Sequence, residues 1–190
     1  MSRLTWLLLL LLASACAAPP NKEMDQAQGA IDAARAAGAD RYAATTYNSA
    51  VEALKSANTA VAQGDYRLAL NHAIESRERA QDAAREGAEA RARLRSEVER
   101  TMSDVAGLMA QASTRLEAAR KNRRARQSTL DQAAATVAAV NRTVQEAGEA
   151  IKEDDYAKAG PALSGVKARM EQAIAAIESA VRPPTPRRRR

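Results

Sequence analysis

Apolar residues recur at alternating spacings of three and four along most of the chain, which is the pattern of one face of an α-helix. The cleanest run is Leu130, Ala133, Val137, Val140, Val144, Ala147 and Ile151. Other runs with the same spacing cover residues 47–61 and 156–181. Runs of four β-branched residues are absent, so the pattern predicts no strands. We therefore expect an all-α fold.

Short breaks divide the amino-terminal part of this pattern into a hairpin. Gly38 closes a first helix over residues 21–37, and Asp40 is expected to cap the helix that follows. Gly64 and Asp65 form the next break, because glycine suits the left-handed position after a helix and aspartate suits the N-cap. Helices joined by so short a connection are expected to run antiparallel.

A much longer helix is predicted after this hairpin. No strong break occurs between Tyr66 and about Arg126, and Gly87 and Gly107 are only weak points in the span. One short hairpin cannot bury so long a helix along its whole length. The long helix is therefore expected to join two helical bundles.

The carboxy-terminal half contains three further signals. Ser128 is expected to cap a helix, with an acidic residue three positions later as in a capping box. Asp154 and Asp155 then reverse the chain. Gly160 and Pro161 are expected to kink the last helix, which the prolines after residue 182 end.

The two tight turns match each other at an offset of 90 residues. Asp65 and Tyr66 of the first turn correspond to Asp155 and Tyr156 of the second. Each pair predicts a helix, an Asp-capped turn and a tyrosine that packs back across the mouth of the hairpin. The match is compatible with a duplication and with shared local geometry alone, and two units do not make a solenoid.

Alanine dominates the composition. Phenylalanine is absent, Trp6 lies near the amino terminus, and four tyrosines are the other aromatic residues. Alanine has the best intrinsic helix propensity but buries little apolar area. We therefore expect slender helices that approach one another closely.

A leader of the secretory type precedes the helices. Arg3 supplies a positive charge, residues 4–12 are apolar, and the small residues 13–15 lead to Cys16, the only cysteine. The apolar stretch is shorter than the roughly 20 residues that cross a bilayer. An ordinary signal peptide, cut near Ala15 or Ala18, is one interpretation of this segment.

The same segment resembles the lipobox of bacterial lipoproteins, in which the cysteine sulfur receives a diacylglycerol group and the leader is cut before it. The resemblance implies a signal peptide over residues 1–15, a tether over residues 16–21 and lipidation of Cys16. Ala17, where aspartate would imply retention in the inner membrane, implies the periplasmic face of the outer membrane. The inner membrane and secretion are the alternatives.

The positive charge of the chain is concentrated at its carboxy terminus. The sequence has 29 Lys and Arg against 23 Asp and Glu. Arg3 lies in the leader and five arginines follow Val181, so basic and acidic residues balance in between. That balance argues against a nucleic-acid partner, which needs a basic surface on the fold. The last four residues are a candidate contact for an anionic surface, in a tail over residues 183–190 that we expect to be disordered; they are Arg187, Arg188, Arg189 and Arg190. A solubilising terminus is the alternative.

Two other charged clusters have structural explanations. Four cations crowd the end of the long helix; they are Lys121, Arg123, Arg124 and Arg126. We interpret them as cations at a negative helix terminus, with an anionic contact as the alternative. Glu153, beside Asp154 and Asp155, is interpreted as part of a capped turn.

The sequence contains no constellation typical of catalysis. His72 is the only histidine, and no second histidine or free cysteine is available to complete a zinc site with it. We expect His72 at a surface or half-buried position of a helix. Phosphate loops, nucleophile elbows and metal-ligand spacings are absent. We predict a non-enzyme without a cofactor.

The first hairpin resembles a known family over roughly residues 22–90. The positions that carry the resemblance are Gly38, Ala39, Tyr42, Ala43, Tyr47, Ala50, Leu54, Ala57, Gly64, Asp65, Tyr66, Ala69 and Ala73. They are similar to the DUF4398 domain of bacterial envelope lipoproteins, although Ala44 stands where members often have proline. The family has no assigned activity, so the resemblance implies envelope location and a helical fold but no mechanism.

Together these patterns predict antiparallel helical hairpins, a DUF4398-like domain over residues 22–95, joined by a long central helix to a second bundle over residues 96–182. The expected function is that of a lipid-anchored periplasmic structural or adaptor protein, with envelope proteins or peptidoglycan as partners. The alternative is an amphipathic helical protein that binds a membrane surface or anionic lipid. The oligomeric state stays open.

Overall fold

A computed structural model describes residues 18–182, which form seven α-helices and no strand. The helices are α1 (Asn21–Ala36), α2 (Ala39–Tyr42), α3 (Ala44–Ala62), α4 (Tyr66–Arg120), α5 (Gln127–Lys152), α6 (Tyr156–Leu163) and α7 (Val166–Val181). The all-α fold and the long central helix are confirmed, with α4 reaching 55 residues. The predicted disordered tail lies outside the described residues.

The chain divides into two compact units between Ala90 and Arg91. We call residues 18–90 the amino-terminal unit and residues 91–182 the carboxy-terminal unit. Helix α4 contributes its first part to the former and its remainder to the latter. Helices α1 to α3 complete the amino-terminal unit, and α5 to α7 complete the carboxy-terminal unit.

The core of the amino-terminal unit is built mainly from alanine. Its buried residues are Ala27, Ile31, Ala34, Ala39, Tyr47, Ala50, Leu54, Ala57, Ala73, Ala80 and Ala83. Alanine side chains let helix backbones come close, as the composition predicts. One polar group shares this interior: the buried hydroxyl of Ser76 donates a hydrogen bond of 2.8 Å to the carbonyl of Ala50. That bond satisfies the hydroxyl and ties α4 to α3.

The start of the second helix differs from the prediction. Gly38 adopts a left-handed conformation with φ of 83° and ends α1, but the chain then re-enters a single helical turn, α2. Asp40 lies inside that turn and caps nothing. Helix α3 begins after Ala43, whose side chain cannot cap it. The prediction that Asp40 caps the next helix is therefore wrong, because an extra turn separates Gly38 from α3.

Neither weak point interrupts the long helix. Gly87 is buried, and a Cβ atom at this position would lie 3.0 Å from the Cα atom of Ala39 in α2. Gly107 is exposed, and a Cβ atom there would have no neighbour within 4 Å. Gly87 thus permits a close approach of α2 to α4, whereas no packing reason is evident for Gly107.

Larger side chains fill the core of the carboxy-terminal unit. Its fully buried members above alanine in size include Val98, Val105, Leu130, Val140, Val166, Met170 and Ile177. The last predicted helix is broken rather than kinked. Helix α6 continues through Pro161 to Leu163, and Gly165, with φ of 71°, then starts α7.

The predicted cap at Ser128 is also wrong. Helix α5 begins at Gln127, so Ser128 already lies in its first turn, and the side chain of the N-cap residue Arg126 makes no capping bond. The chain enters the helix earlier because Ala125 is buried and Arg126 is bonded to α7. Tertiary contacts, rather than a local capping box, set this helix start.

The first tight turn, between α3 and α4, has a well-defined hydrogen-bond pattern. Gly64 donates its backbone N–H to Val61 at 3.0 Å, and Asp65 donates to Ala60 at 2.9 Å. The side chain of Asp65 accepts a bond of 2.9 Å from the backbone N–H of Leu68. This combination is a Schellman ending followed by an N-cap.

The second tight turn, between α5 and α6, repeats the pattern at the predicted offset. Asp154 donates its backbone N–H to Ile151 at 3.0 Å, and Asp155 donates to Ala150 at 2.8 Å. The side chain of Asp155 accepts a bond of 3.1 Å from the backbone N–H of Lys158. The two turns therefore share their local geometry. The tyrosines differ in burial, since Tyr156 is 4% exposed and Tyr66 is half-buried.

The two turns place different residues in the left-handed position. Gly64 has φ of 76° and Asp154 has φ of 58°. A residue with a Cβ atom is strained in this region by about 1–2 kcal/mol, somewhat less for aspartate, which can hydrogen-bond locally. We expect Asp154→Gly to be more stable than Asp154→Ala by about 1 kcal/mol. Urea denaturation followed by circular dichroism measures this difference.

The pair of variants isolates the backbone effect. Both remove the ion pair between Asp154 and Arg91, which is 3.1 Å long and largely exposed. Gly64→Ala provides the matched test at the first turn and should lose stability to a similar extent. Equal stability of the two Asp154 variants would contradict the strain.

Candidate functional site

Cys16 and the four terminal arginines lie outside the described residues, as do residues 1–15. The folded chain begins close to Cys16, because α1 starts at Asn21 and only residues 17–20 lie between them. Pro20 is buried, and its carbonyl accepts a hydrogen bond of 3.1 Å from the backbone N–H of Met24. Any group attached at Cys16 is therefore joined to the amino-terminal unit by a very short segment.

His72 lies in α4 at a half-buried position, in keeping with the expectation for it. Its Nδ1 atom is 3.4 Å from a carboxylate oxygen of Glu75, and a guanidinium nitrogen of Arg79 is 2.6 Å from the other oxygen. The hydrogen bond from Arg79, and secondarily the one from His72, lower the pKa of Glu75. Glu75 is therefore ionised at neutral pH. Together with Asn48 and Glu52 of α3, these side chains line an open polar groove.

The acidic cluster at the second turn has the capping role predicted for it. Asp155 caps α6, as described above, and Asp154 forms the turn and pairs with Arg91. Tyr156 follows directly, and the guanidinium carbon of Arg95 lies 6.0 Å from the centre of its ring. Arg91 and Arg95 thereby connect α4 to this turn.

Residues 18–182 lack two kinds of site. No group of three or more His, Cys, Asp and Glu side chains in this range is arranged to hold a metal ion. The same range includes no helix with the length and apolar character that a membrane span requires.

The four cations after the long helix lie in a turn that we call the cationic loop, residues 121–126. The side chain of Asn122 accepts a hydrogen bond of 3.0 Å from the backbone N–H of Arg124. The carbonyl of Asn122 accepts another of 3.0 Å from Ala125, whose side chain is buried. This turn points Lys121, Arg123 and Arg124 into solvent.

Arg126 fastens the cationic loop to the end of α7. Its backbone N–H donates to the carbonyl of Ala180 at 3.2 Å, and its guanidinium donates to the carbonyl of Ser179 at 2.6 Å. Arg126 thus lies at a negative helix terminus, but that terminus belongs to α7 rather than α4. The contact joins residues 53 positions apart, so no local sequence pattern signals it.

The comparison with known families concerns the amino-terminal unit and the first residues of the carboxy-terminal unit. Residues 22–98 match the family model described as Domain of unknown function (DUF4398). Residues 22–98, less than half of the chain, are similar to this family. This confirms the resemblance, and the DUF4398 match includes α1 to α3 and the first part of α4. No curated protein and no solved structure is significantly similar to the chain.

Proposed function

We propose that this protein is a lipid-anchored envelope protein with a structural or adaptor role, attached through Cys16 to the periplasmic face of the outer membrane. The observation that carries the proposal is the leader, an apolar stretch over residues 4–12 followed by small residues and the only cysteine. Export brings a cysteine into an oxidising compartment, where a lone thiol is reactive. A lipid on the sulfur removes that reactivity and supplies the anchor.

The short tether supports an anchor that holds the fold at a membrane surface. Residues 17–20 span at most about 14 Å when fully extended. One acyl chain binds a bilayer only marginally, so stable attachment requires the several chains of a lipoprotein anchor. With such an anchor, the amino-terminal unit would remain within one tether length of the bilayer.

An adaptor role is favoured over helices that open and lie on the membrane. Interfacial helices need a broad apolar face rich in large side chains. Here the large apolar side chains are buried or half-buried apart from two, since within residues 18–182 only Leu68 and Val181 are large, apolar and exposed. The exposed helix faces are polar, and the open groove at His72 offers charged groups of both signs. Such faces suit docking of envelope proteins or peptidoglycan.

Replacing Cys16 with serine tests the proposal. We expect the Cys16→Ser protein to leave the membrane fraction, because no sulfur remains to carry the lipid. Ala17→Ser is the matched control and should stay with the membrane. Fractionation with metabolic labelling by a fatty acid measures both location and acylation.

The outcome that contradicts the anchor is equally clear. A Cys16→Ser protein that remains in the membrane fraction, with residues 1–15 still present by mass spectrometry, would identify an uncleaved leader as the membrane element. An unlabelled wild-type chain would also contradict lipidation.

A further inference from the structure

One end of the carboxy-terminal unit collects an excess of cations. We call this the cationic end, comprising residues 115–131 and 177–182, which the bonds from Arg126 to Ser179 and Ala180 hold together. Its seven cationic residues are Arg115, Arg120, Lys121, Arg123, Arg124, Arg126 and Arg182. Its three acidic residues are Glu117, Asp131 and Glu178. The excess lies within residues 115–131, because Arg182 and Glu178 of the second segment balance each other.

Most of this positive charge is not neutralised by the fold. Arg115 pairs with Glu178 across α4 and α7, and Arg126 is bonded to the end of α7. The other five cations are exposed and make no ion pair within residues 18–182; they are Arg120, Lys121, Arg123, Arg124 and Arg182. Arg120 and Arg182 lie at the ends of α4 and α7, whereas Arg123 and Arg124 lie beyond the last turn of α4.

The opposite end of α5 has no comparable excess of cations. Residues 149–158, around the second tight turn, contain four acidic and two basic side chains, and Arg91 and Arg95 of α4 lie against them. Helix α5 has 26 residues and therefore separates the two ends by about 39 Å. An anionic surface therefore attracts the cationic end more strongly than the opposite end.

An apolar groove adjoins the cationic end. It lies between the end of α4 and the end of α7 and is lined in part by Ala118, Ala119, Ile177 and Val181. Val181 is 39% exposed. Cations beside an exposed apolar groove match a lipid headgroup region, where phosphates lie above acyl chains. A soluble polyanion would use only the charge.

We propose that the cationic end docks on a bilayer that contains anionic phospholipid. The phosphate groups accept charge-assisted hydrogen bonds from the guanidinium groups of Arg123 and Arg124 and from the ammonium of Lys121. The cationic loop is fixed by its own hydrogen bonds, so little ordering is needed on contact. The choice of a bilayer rests on the proposed envelope location, whereas the affinity for phosphate does not.

The test uses the processed chain from residue 16 with Cys16→Ser, which carries no lipid. Its binding to phosphatidylglycerol vesicles is compared with binding to phosphatidylcholine vesicles at low salt. The triple variant Lys121→Gln, Arg123→Gln and Arg124→Gln should bind the anionic vesicles roughly 10- to 100-fold more weakly. The triple variant Lys55→Gln, Arg67→Gln and Arg142→Gln is the control, with the same change of net charge at exposed sites elsewhere.

Two further variants, an exchange of arginine and lysine in the cationic loop and a deletion of residues 187–190, complete the test. Exchanging arginine and lysine within the cationic loop keeps the charge and should keep binding, with the helical signal checked by circular dichroism. Equal weakening of the loop and control variants would overturn the proposal. So would binding that is unaffected by the loop variant and abolished by deleting residues 187–190. Because the chain carries no lipid, its binding is independent of whether Cys16 is an anchor in cells.

Discussion

Replacing Tyr47 with alanine is expected to lower the free energy of unfolding of the amino-terminal unit by about 3–5 kcal/mol. Tyr47 is 5% exposed and is one of only three buried residues in that core cluster that are larger than alanine. Its hydroxyl accepts a hydrogen bond of 2.8 Å from Nε of Arg35, whose guanidinium carbon lies 5.7 Å from the ring centre. Small neighbours cannot collapse into the space that the ring would leave.

Hydrogen exchange with mass spectrometry measures this loss within the full chain. Peptides from α3 should lose protection, and peptides from α5 to α7 serve as the internal reference. Tyr47→Phe removes only the hydroxyl and should cost about 1 kcal/mol or less, because Arg35 is exposed. Full protection of α3 in Tyr47→Ala would show that the ring is not a main contributor to the core.

Replacing Gly87 with valine is expected to destabilise the amino-terminal unit by about 1–3 kcal/mol. Its Cβ atom would lie 3.0 Å from the Cα atom and 3.4 Å from the Cβ atom of Ala39. Backbone cannot move aside as a flexible side chain can, so α2 must shift away from α4. Helix propensity alone predicts the opposite sign, because glycine is the poorer helix former.

Gly107→Val in the same helix is the matched control. No atom would contact its Cβ within 4 Å, so stability should change by no more than about 0.5 kcal/mol. Exchange protection in α1 to α3, measured for both variants, separates the packing effect from propensity. If Gly87→Val were as stable as Gly107→Val, the close approach of α2 to α4 would contribute nothing to stability.

The periodicity of the apolar residues predicted the helices, because a helix that is buried on one face has apolar residues at spacings of three and four. The predicted positions Tyr47, Ala50, Leu54 and Ala57 of α3 are all buried. Val61, at the end of the same run, is only half-buried because α3 ends at Ala62. The tight turns could be predicted equally well, because Gly64 and Asp65 act through hydrogen bonds to residues a few positions away.

Helix starts and the assembly of the cationic end could not be predicted from local sequence patterns. Asp40 and Ser128 are good capping residues, yet the chain enters helix before each of them. At α5 this start depends on the burial of Ala125 and on the bonds of Arg126 to the end of α7, which are tertiary events. The sequence shows the cationic loop and the end of the last helix as separate segments, and only the fold brings them together.

The alanine-rich interior has a thermal consequence. Unfolding the amino-terminal unit exposes little apolar surface per residue, because most members of its core are alanine. The heat-capacity change of unfolding scales with that surface and sets the curvature of the stability curve. The free energy of unfolding of this unit should therefore vary only gently with temperature. Its maximum should be broad, and cold denaturation should occur at a lower temperature than in a unit with larger core side chains.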